Sequence, residues 1–343
     1  MSVCKTALAG LSHAALTGLL APLPAFRSRQ IQAWVYRGAS SFQSMSDLPQ
    51  ALRDDLAGRF SLYAGEVSAR LEDPDGTVKL RVRCQDGAGI EAVLLTDPAG
   101  RKTACLSTQA GCAAGCVFCK TGAMGFTRNL EAAEIVEQLL FLLQAEPAIS
   151  NIVIMGMGEP LYNLGEVRAA LEIITSPGGL ARSPRRITLS TCGIIEGIRN
   201  LADGGPPVRL ALSLTSADAS LRERLMPPAR ANPLPALKEA LVYYQQKTGR
   251  RITLEAALLG GLNTRPQDAA AIAAFALGLD AAVNLIPWNP VPGMVFEGRP
   301  LREPGREEAQ AFAAALEKRG LSVTFRFKKG RSVCGACGQL GCL

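Results

Sequence analysis

The sequence has one histidine in 343 residues. That residue, His13, lies in an apolar N-terminal stretch. A multi-histidine metal site is excluded, and with it most mechanisms that rely on a histidine general base. We read His13 as structural or incidental. Acidic residues are missing from positions 320–343, where Arg326, Lys328, Lys329 and Arg331 precede three cysteines. No apolar run is long enough to span a membrane. The Ala/Leu-rich stretch 5–25 begins with a single Lys and is interrupted by Ser12, His13 and Thr17. Leu8, Leu11, Ala15, Leu19 and Leu20 recur there at helical spacing. It therefore reads as an amphipathic helix over about 8–20 rather than an export signal. Internal repeats and low-complexity segments are also lacking.

Charged residues make up only 20% of the chain and hydrophobic ones 48%. Such a chain builds a sizeable core, enough for one large α/β domain and a smaller one. The formal charge of +7 suits an anionic partner, nucleic acid first. Up to residue 92 the count is ten Lys/Arg against nine Asp/Glu, so the positive excess lies further on. There are ten cysteines. Their clustering, in a chain of this size, argues for metal or redox chemistry in a reducing cytoplasm rather than a secreted disulfide framework.

Cys112, Cys116 and Cys119 form a C-x3-C-x2-C triplet, with Cys105 seven residues upstream. Gly111, Ala113, Ala114, Gly115, Gly122 and Gly125 surround them, so the loop can turn tightly against a bulky inorganic ligand. Iron–sulfur clusters and zinc both prefer thiolates and both usually take four ligands. Three local cysteines on a cubane leave one iron open for a substrate. A zinc knuckle completed by a distant cysteine, or cysteines without metal, are the alternatives. The tail, Cys334-Gly-Ala-Cys337-Gly-Gln-Leu-Gly-Cys342, is too glycine-rich for a helix. It suits delivery of a thiol to an anionic substrate; a frayed end or a second zinc half-site are its alternatives.

Taken in order, helices are expected near 26–36 and 48–60, then a hairpin of 67–71 and 78–84 across the Asp73-Pro74-Asp75-Gly76 turn. Strands at 90–95 and 103–107 lead into the cysteine loop. Strands at 152–155, 187–191, 208–214, 252–259, 282–286 and 322–327 then alternate with helices at 130–143, 164–175, 194–202, 219–225, 235–247, 266–277 and 304–318. Continuously apolar strands in this alternation predict a parallel α/β sheet, open or curled into a partial barrel. Chemistry in such folds sits at the C-terminal strand ends. The cysteine loop, Gly158-Glu159, Ser190-Thr191, Ser213 and Pro287-Trp288-Asn289 all fall there.

These residues carry a resemblance. Segments 24–36, 105–122, 128–130, 155–163, 190–193, 283–290 and Ala336-Cys337-Gly338-Gln339-Leu340 resemble the RlmN/Cfr family of radical S-adenosylmethionine (SAM) RNA methyltransferases, over nearly the whole chain. Ile286-Pro287-Trp288-Asn289-Pro290 and Gly158-Glu159-Pro160 resemble the RlmN branch. The resemblance implies an α/β fold: a partial (βα)6 radical-SAM barrel at 91–327, a small N-terminal α+β accessory domain at 1–90 that contacts RNA, and a cysteine-bearing tail at 328–343. It implies that Cys112, Cys116 and Cys119 hold a 4Fe-4S cluster whose fourth iron takes SAM. SAM contacts fall on Gly158, Glu159, Ser190, Ser213, Leu214, Thr215 and Asn289. Cys337 becomes the methyl carrier. A radical generated from SAM activates its S-methyl group for addition to C2 of an adenosine, an electron-poor carbon that does not attack a sulfonium methyl directly. Cys105 becomes the resolving thiol, ending in a Cys105–Cys337 disulfide. Glu91 becomes the proton acceptor, with an exposed strand-edge carboxylate as the alternative.

The implied substrate is 23S rRNA at the peptidyl-transferase centre and, in some members, the adenosine beside the tRNA anticodon. An electron donor such as flavodoxin or ferredoxin, a monomeric state and a cytoplasmic location complete the expectation. Methylation at C8, as in the Cfr branch, is the alternative activity, and a non-catalytic zinc module that binds RNA is the alternative class. Three departures from the family stand out. Thr215-Ser216 replaces His-Ala, Ser332-Val333-Cys334-Gly335 replaces Asp-Ile-Asp-Ala, and the family's usual C-terminal extension is missing. Cys334 and Cys342 flank Cys337 and could form competing disulfides.

Overall fold

The computed structural model describes residues 5–326 and 329–342. β1 (Thr6–Ala7) pairs in parallel with β2 (Phe60–Ser61), closing a segment that contains α1 (His13–Leu19), α2 (Ala25–Tyr36) and α3 (Gln50–Arg59). The helix expected over 8–20 is shorter and starts later, because Ser12 caps α1: its Oγ accepts the Ala15 N–H at 3.2 Å. His13 Nδ1 lies 3.0 Å from Gln32 Oε1, joining α1 to α2 in the structural role expected of it.

The hairpin follows as β3 (Gly65–Glu72) and β4 (Val78–Cys84), then β5 (Gly89–Thr96) and β6 (Lys102–Leu106), each antiparallel to the one before it. β7 (Gln109–Gly111) and β8 (Phe126–Asn129) form a small hairpin around the cysteine loop and α4 (Lys120–Ala123). Beyond it come α5 (Ala132–Ala145), β9 (Asn151–Ile154), α6 (Leu164–Thr175), β10 (Ile187–Thr191), α7 (Ile195–Gly204) and β11 (Arg209–Ser213). The chain continues through α8 (Ala219–Leu225), α9 (Leu234–Thr248), β12 (Ile252–Leu258), α10 (Pro266–Ala276) and β13 (Ala281–Pro287). A small hairpin of β14 (Val295–Phe296) and β15 (Arg299–Pro300), then α11 (Arg306–Glu317) and β16 (Ser322–Phe325), complete it. Residues 327 and 328, on which the end of the expected last strand, Lys328 and the expected tail boundary fall, lie outside the described residues, as do the domain ends at 1–4 and 343.

One ten-stranded sheet results, in the order β16-β13-β12-β11-β10-β9-β6-β5-β4-β3. From β6 to β16 the pairs are parallel, with helical crossovers, which is the expected (βα)6 alternation plus a last strand. Ile187, Leu189, Leu210, Leu212, Ile252, Val283 and Leu285 are fully buried, as expected of strands covered on both faces. The sheet runs across position 90. β4 pairs with β5 from Val78↔Leu94 to Arg83↔Gly89, so the hairpin is an extension of the core sheet. Leu80, Val82, Ile90, Ala92 and Leu94 bury together there. Because the parallel strands share one direction, their C-terminal ends form one rim, and the expected site residues gather on it.

Candidate active site

The cysteine loop is fixed mainly by its own surroundings. Gly111 has φ 73°, and a side chain there would strike the Gly125 carbonyl, to which the Cys112 N–H donates at 2.8 Å. Val117 N donates to Leu225 O of α8 at 3.0 Å, and Trp288 Nε1 to Phe118 O at 2.8 Å. Ala114, Leu225, Met226 and Trp288 pack around it as a separate apolar cluster.

Cys112, Cys116 and Cys119 line a cavity of about 170 Å³ together with Gly158, Glu159, Ser190, Ser213, Thr215 and Asn289. Of the expected SAM contacts only Leu214 is not on this wall. Its side chain is fully buried in the core and its N–H donates to Glu255 O at 2.8 Å. The Glu159 carboxylate is buried and accepts Leu161 N at 3.0 Å and Cys192 N at 2.7 Å; burial nonetheless raises its pKa. Asn289 Oδ1 is buried without a partner. A ligand bearing an ammonium and further N–H or O–H donors, as SAM does, fits these acceptors. Thr215 has φ 57°, a strained conformation for a β-branched residue, on the wall of this cavity.

Burial pushes the Cys112 thiol up to about 11 and raises Cys116 and Cys119 as well. Thiols held protonated in this way lose their protons when metal binds. Among the described residues no group of His, Cys, Asp or Glu converges tightly enough for a single ion.

A second cavity of about 520 Å³ lies against the first. Cys105 is on its wall, with Leu95, Arg101, Val153 and Lys329. Met155, Ile286, Asn289, Arg326 and Cys337 line both cavities and form the partition between them. Cys337 is held there from three sides. Arg326 Nη1 donates to its Sγ at 3.0 Å, Asn289 Nδ2 to its carbonyl at 3.1 Å, and Lys120 N to Gly338 O at 2.8 Å. Burial, reinforced by Cys337, pushes the Cys105 thiol up to about 12, while Arg326 pulls it down. Cys105 and Cys337 are both free thiols.

Glu91 lies outside both cavities. It is buried rather than exposed at a strand edge: Lys79 Nζ is 3.0 Å from Glu91 Oε2, and the Gly341 N–H donates to the same oxygen at 2.9 Å. Lys79 also donates to Cys334 O at 3.3 Å. The pair therefore sits beneath the tail and links Cys334 to the residue before Cys342; both of these thiols are free.

Sequence reasoning missed several residues that shape the site. Gln109 accepts Glu159 N at 2.9 Å and donates to Asn129 Oδ1 at 2.9 Å, tying the β7–β8 hairpin to the Gly158-Glu159 turn. Glu255 accepts Ser190 Oγ at 3.0 Å and Asn284 Nδ2 at 3.2 Å, and stands 3.8 Å from Arg326. A carboxylate inside the apolar strand β12 is a signal that could have flagged Glu255. Arg326, one of a basic run, offers none.

Comparison with known proteins agrees with this geometry. The model of the Radical SAM superfamily matches residues 106–269, and that of the Ribosomal RNA large subunit methyltransferase N-terminal domain matches residues 6–62. A Treponema denticola protein named probable dual-specificity RNA methyltransferase RlmN is 49% identical over 337 residues, 98% of this chain and 96% of that one. A Thermus thermophilus protein of the same name is 44% identical, over 93% of this chain and 90% of its own. The crystal structure of a radical SAM methyltransferase from Sphaerobacter thermophilus superposes with a TM-score of 0.93 at 39% identity, covering 98% of this chain and 99% of that one. Membership of the superfamily brings a 4Fe-4S cluster and SAM as cofactors, which the three thiols and the acceptors of the smaller cavity fit. The chain belongs to the RlmN family of the radical SAM superfamily.

Proposed function

We propose that the protein is an RNA methyltransferase that places a methyl group on C2 of an adenosine, through S-methyl-Cys337 and a transient Cys105–Cys337 disulfide. The substrates are 23S rRNA at the peptidyl-transferase centre and tRNA beside the anticodon. One observation carries the reading: Cys337 stands on the partition between two cavities, with the three-cysteine loop on one side and Cys105 on the other. A thiol there can take a methyl group from the smaller cavity and present it to a base in the larger one.

Cluster and SAM, when bound, supply the one-electron chemistry that a non-acidic aromatic C–H requires. The chain's own residues do the rest. Glu159, Ser190, Ser213 and Asn289 offer the polar contacts that hold SAM. Arg101 and Lys329 line the larger cavity and suit RNA phosphates, so binding weakens steeply with salt. The adenine must be splayed out of its stack to enter.

Once the base is joined to Cys337 through a methylene, a Cys105 thiolate attacks the Cys337 sulfur. The S–S bond forms as the S–C bond breaks, and the electron pair passes to the methylene carbon, which takes a proton and becomes the methyl group. For Glu91 to accept the C2 proton, the Gly341 N–H must first leave its carboxylate. Flavodoxin or ferredoxin suits the role of electron donor.

The test is a digest of RNA treated with the reconstituted enzyme, SAM and reductant, separating 2-methyladenosine from 8-methyladenosine. The 2-methyl product is expected; the 8-methyl product would move the enzyme to C8 chemistry. A colourless zinc protein that leaves RNA unmodified would sink the proposal. Cys105→Ala should leave RNA covalently attached to the protein on a denaturing gel. Release of free methylated RNA by that variant rules out the disulfide step.

A further inference from the structure

Arg326 stands half-buried within the partition. It directly follows β16, and its guanidinium reaches three groups at once. Nη1 donates to Cys337 Sγ at 3.0 Å, Nη2 donates to Met155 Sδ at 3.3 Å, and Glu255 Oε1 lies 3.8 Å away. Glu255 in turn accepts Ser190 Oγ at 3.0 Å, and Ser190 Oγ lies 3.2 Å from Ser213 Oγ. A polar chain thus runs from the smaller cavity's serines to the sulfur of Cys337. On the other side, Cys105 shares the larger cavity with Arg326, and the β6–β9 pairing sets Cys105 opposite Val153, two residues before Met155. One guanidinium therefore donates to the Cys337 sulfur and lines the cavity that holds the Cys105 thiol.

We infer that Arg326 is the positioning residue that serves the two sulfurs in turn, first Cys337 as it accepts the methyl group and then Cys105 as it attacks. The inference rests on the methyl-carrier reading of Cys337. A planar guanidinium held by Glu255 and by the Met155 sulfur is a fixed donor, and a fixed donor steers a sulfur more closely than a flexible ammonium does. A hydrogen bond from a charged donor to an anionic sulfur is also stronger than one to a neutral thiol. Burial pushes Cys105 up to about 12 while Arg326, on the wall of the same cavity, opposes this and so favours its thiolate. The Met155 sulfur accepts from the other arm of the fork. Glu255, 3.8 Å away, gives the half-buried cation a partner charge.

The test compares full-length wild type, Arg326→Gln and Arg326→Lys. Without cluster or SAM, Cys337 is labelled with competing iodoacetate and iodoacetamide, and each product is counted by peptide mass spectrometry. After reconstitution, SAM is added and the gain of one methyl group on Cys337 is timed. In Arg326→Gln the preference for the anionic reagent and the rate of methyl gain should each fall by about tenfold or more. Arg326→Lys should keep the preference and recover part of the rate. Labelling of Cys342 and the urea midpoint should stay near wild type.

An unchanged labelling ratio and an unchanged methylation rate in a folded Arg326→Gln overturn the inference. If that variant does not fold, Arg326→Lys decides alone: loss of the anionic preference with the charge still present overturns it. If wild type itself gains no methyl on Cys337, the methyl-carrier reading fails, and the labelling ratio still decides whether Arg326 governs that sulfur.

Discussion

The loop at 112–119 and the tail at 329–342 both bring cysteines to the smaller cavity, and they are held by largely different means. The loop uses backbone bonds to nearby chain and to α8, within an apolar cluster. The tail is tied by side chains from distant elements. Asp73 accepts Ser332 N at 2.8 Å and Ser332 Oγ at 2.7 Å, and Asp75 accepts Gly330 N at 2.9 Å. Lys79 and Glu91 hold Cys334 and Gly341, Thr121 Oγ1 donates to Leu340 O at 2.7 Å, and Gln339 Nε2 donates to Pro290 O at 3.0 Å. A scaffold that must present a cluster is built rigid. The tail, which in the proposed reaction forms and releases a covalent adduct, is held by bonds that can be exchanged singly. The β3–β4 hairpin thereby acquires a role, since its turn carboxylates and Lys79 form the dock for the tail.

The largest effect separates the two regions outright. Cys116→Ala should lose the cluster's broad visible absorption, SAM cleavage and RNA methylation together. Cys337→Ala should keep the absorption and bind SAM, yet make no methylated RNA. Absorption spectra and nucleoside digests of the two variants check this. If both variants lost the cluster, loop and tail would not be independent.

The same contrast explains what could be read beforehand. The cysteine spacing is local, so it was visible. The strand–helix alternation was visible because a strand covered on both faces leaves a continuous apolar run. Asp73-Pro74-Asp75-Gly76 was legible as a turn, and Gly76 N does donate to Asp73 O at 2.9 Å. That its carboxylates grip residues 330 and 332 was not legible, because no short-range pattern records contacts between such distant positions. The structure also gives one departure from the family a physical setting: an acidic residue at 332 would stand against the Asp73 carboxylate, whereas Ser332 donates to it. Arg326 was hidden for a different reason. An arginine that turns inward to a sulfur has the same letters in a basic run as a solvated one.

A smaller effect tests the dock. The Lys79 side chain is fully buried and that of Glu91 nearly so. Lys79→Met leaves the Glu91 charge unpaired and should cost about 3–5 kcal/mol of stability. Urea unfolding measures this, and limited proteolysis should show the tail released first. Lys79→Met with Glu91→Leu removes both charges and should recover most of the loss. The double variant also separates anchoring from chemistry. Recovery of both stability and turnover would end the proton-acceptor role of Glu91; recovery of stability alone would support it.

The smallest effect lies on the loop side. Thr215 holds φ 57° because its backbone is fastened at both ends: its N–H donates to Glu255 O at 3.1 Å, and its carbonyl accepts Asn263 Nδ2 at 2.8 Å. A left-handed conformation costs a residue with a Cβ about 1–2 kcal/mol, and asparagine tolerates it better than threonine. Thr215→Asn should therefore raise the unfolding midpoint modestly in the protein without cofactors. If the side chain only fills the cavity wall, SAM affinity measured by calorimetry should change little. Weaker SAM binding in a more stable variant would mean that the strained threonine is kept for the ligand. The rigid region would then carry its own functional strain, and the division between a fixed scaffold and an exchangeable tail would need redrawing at that residue.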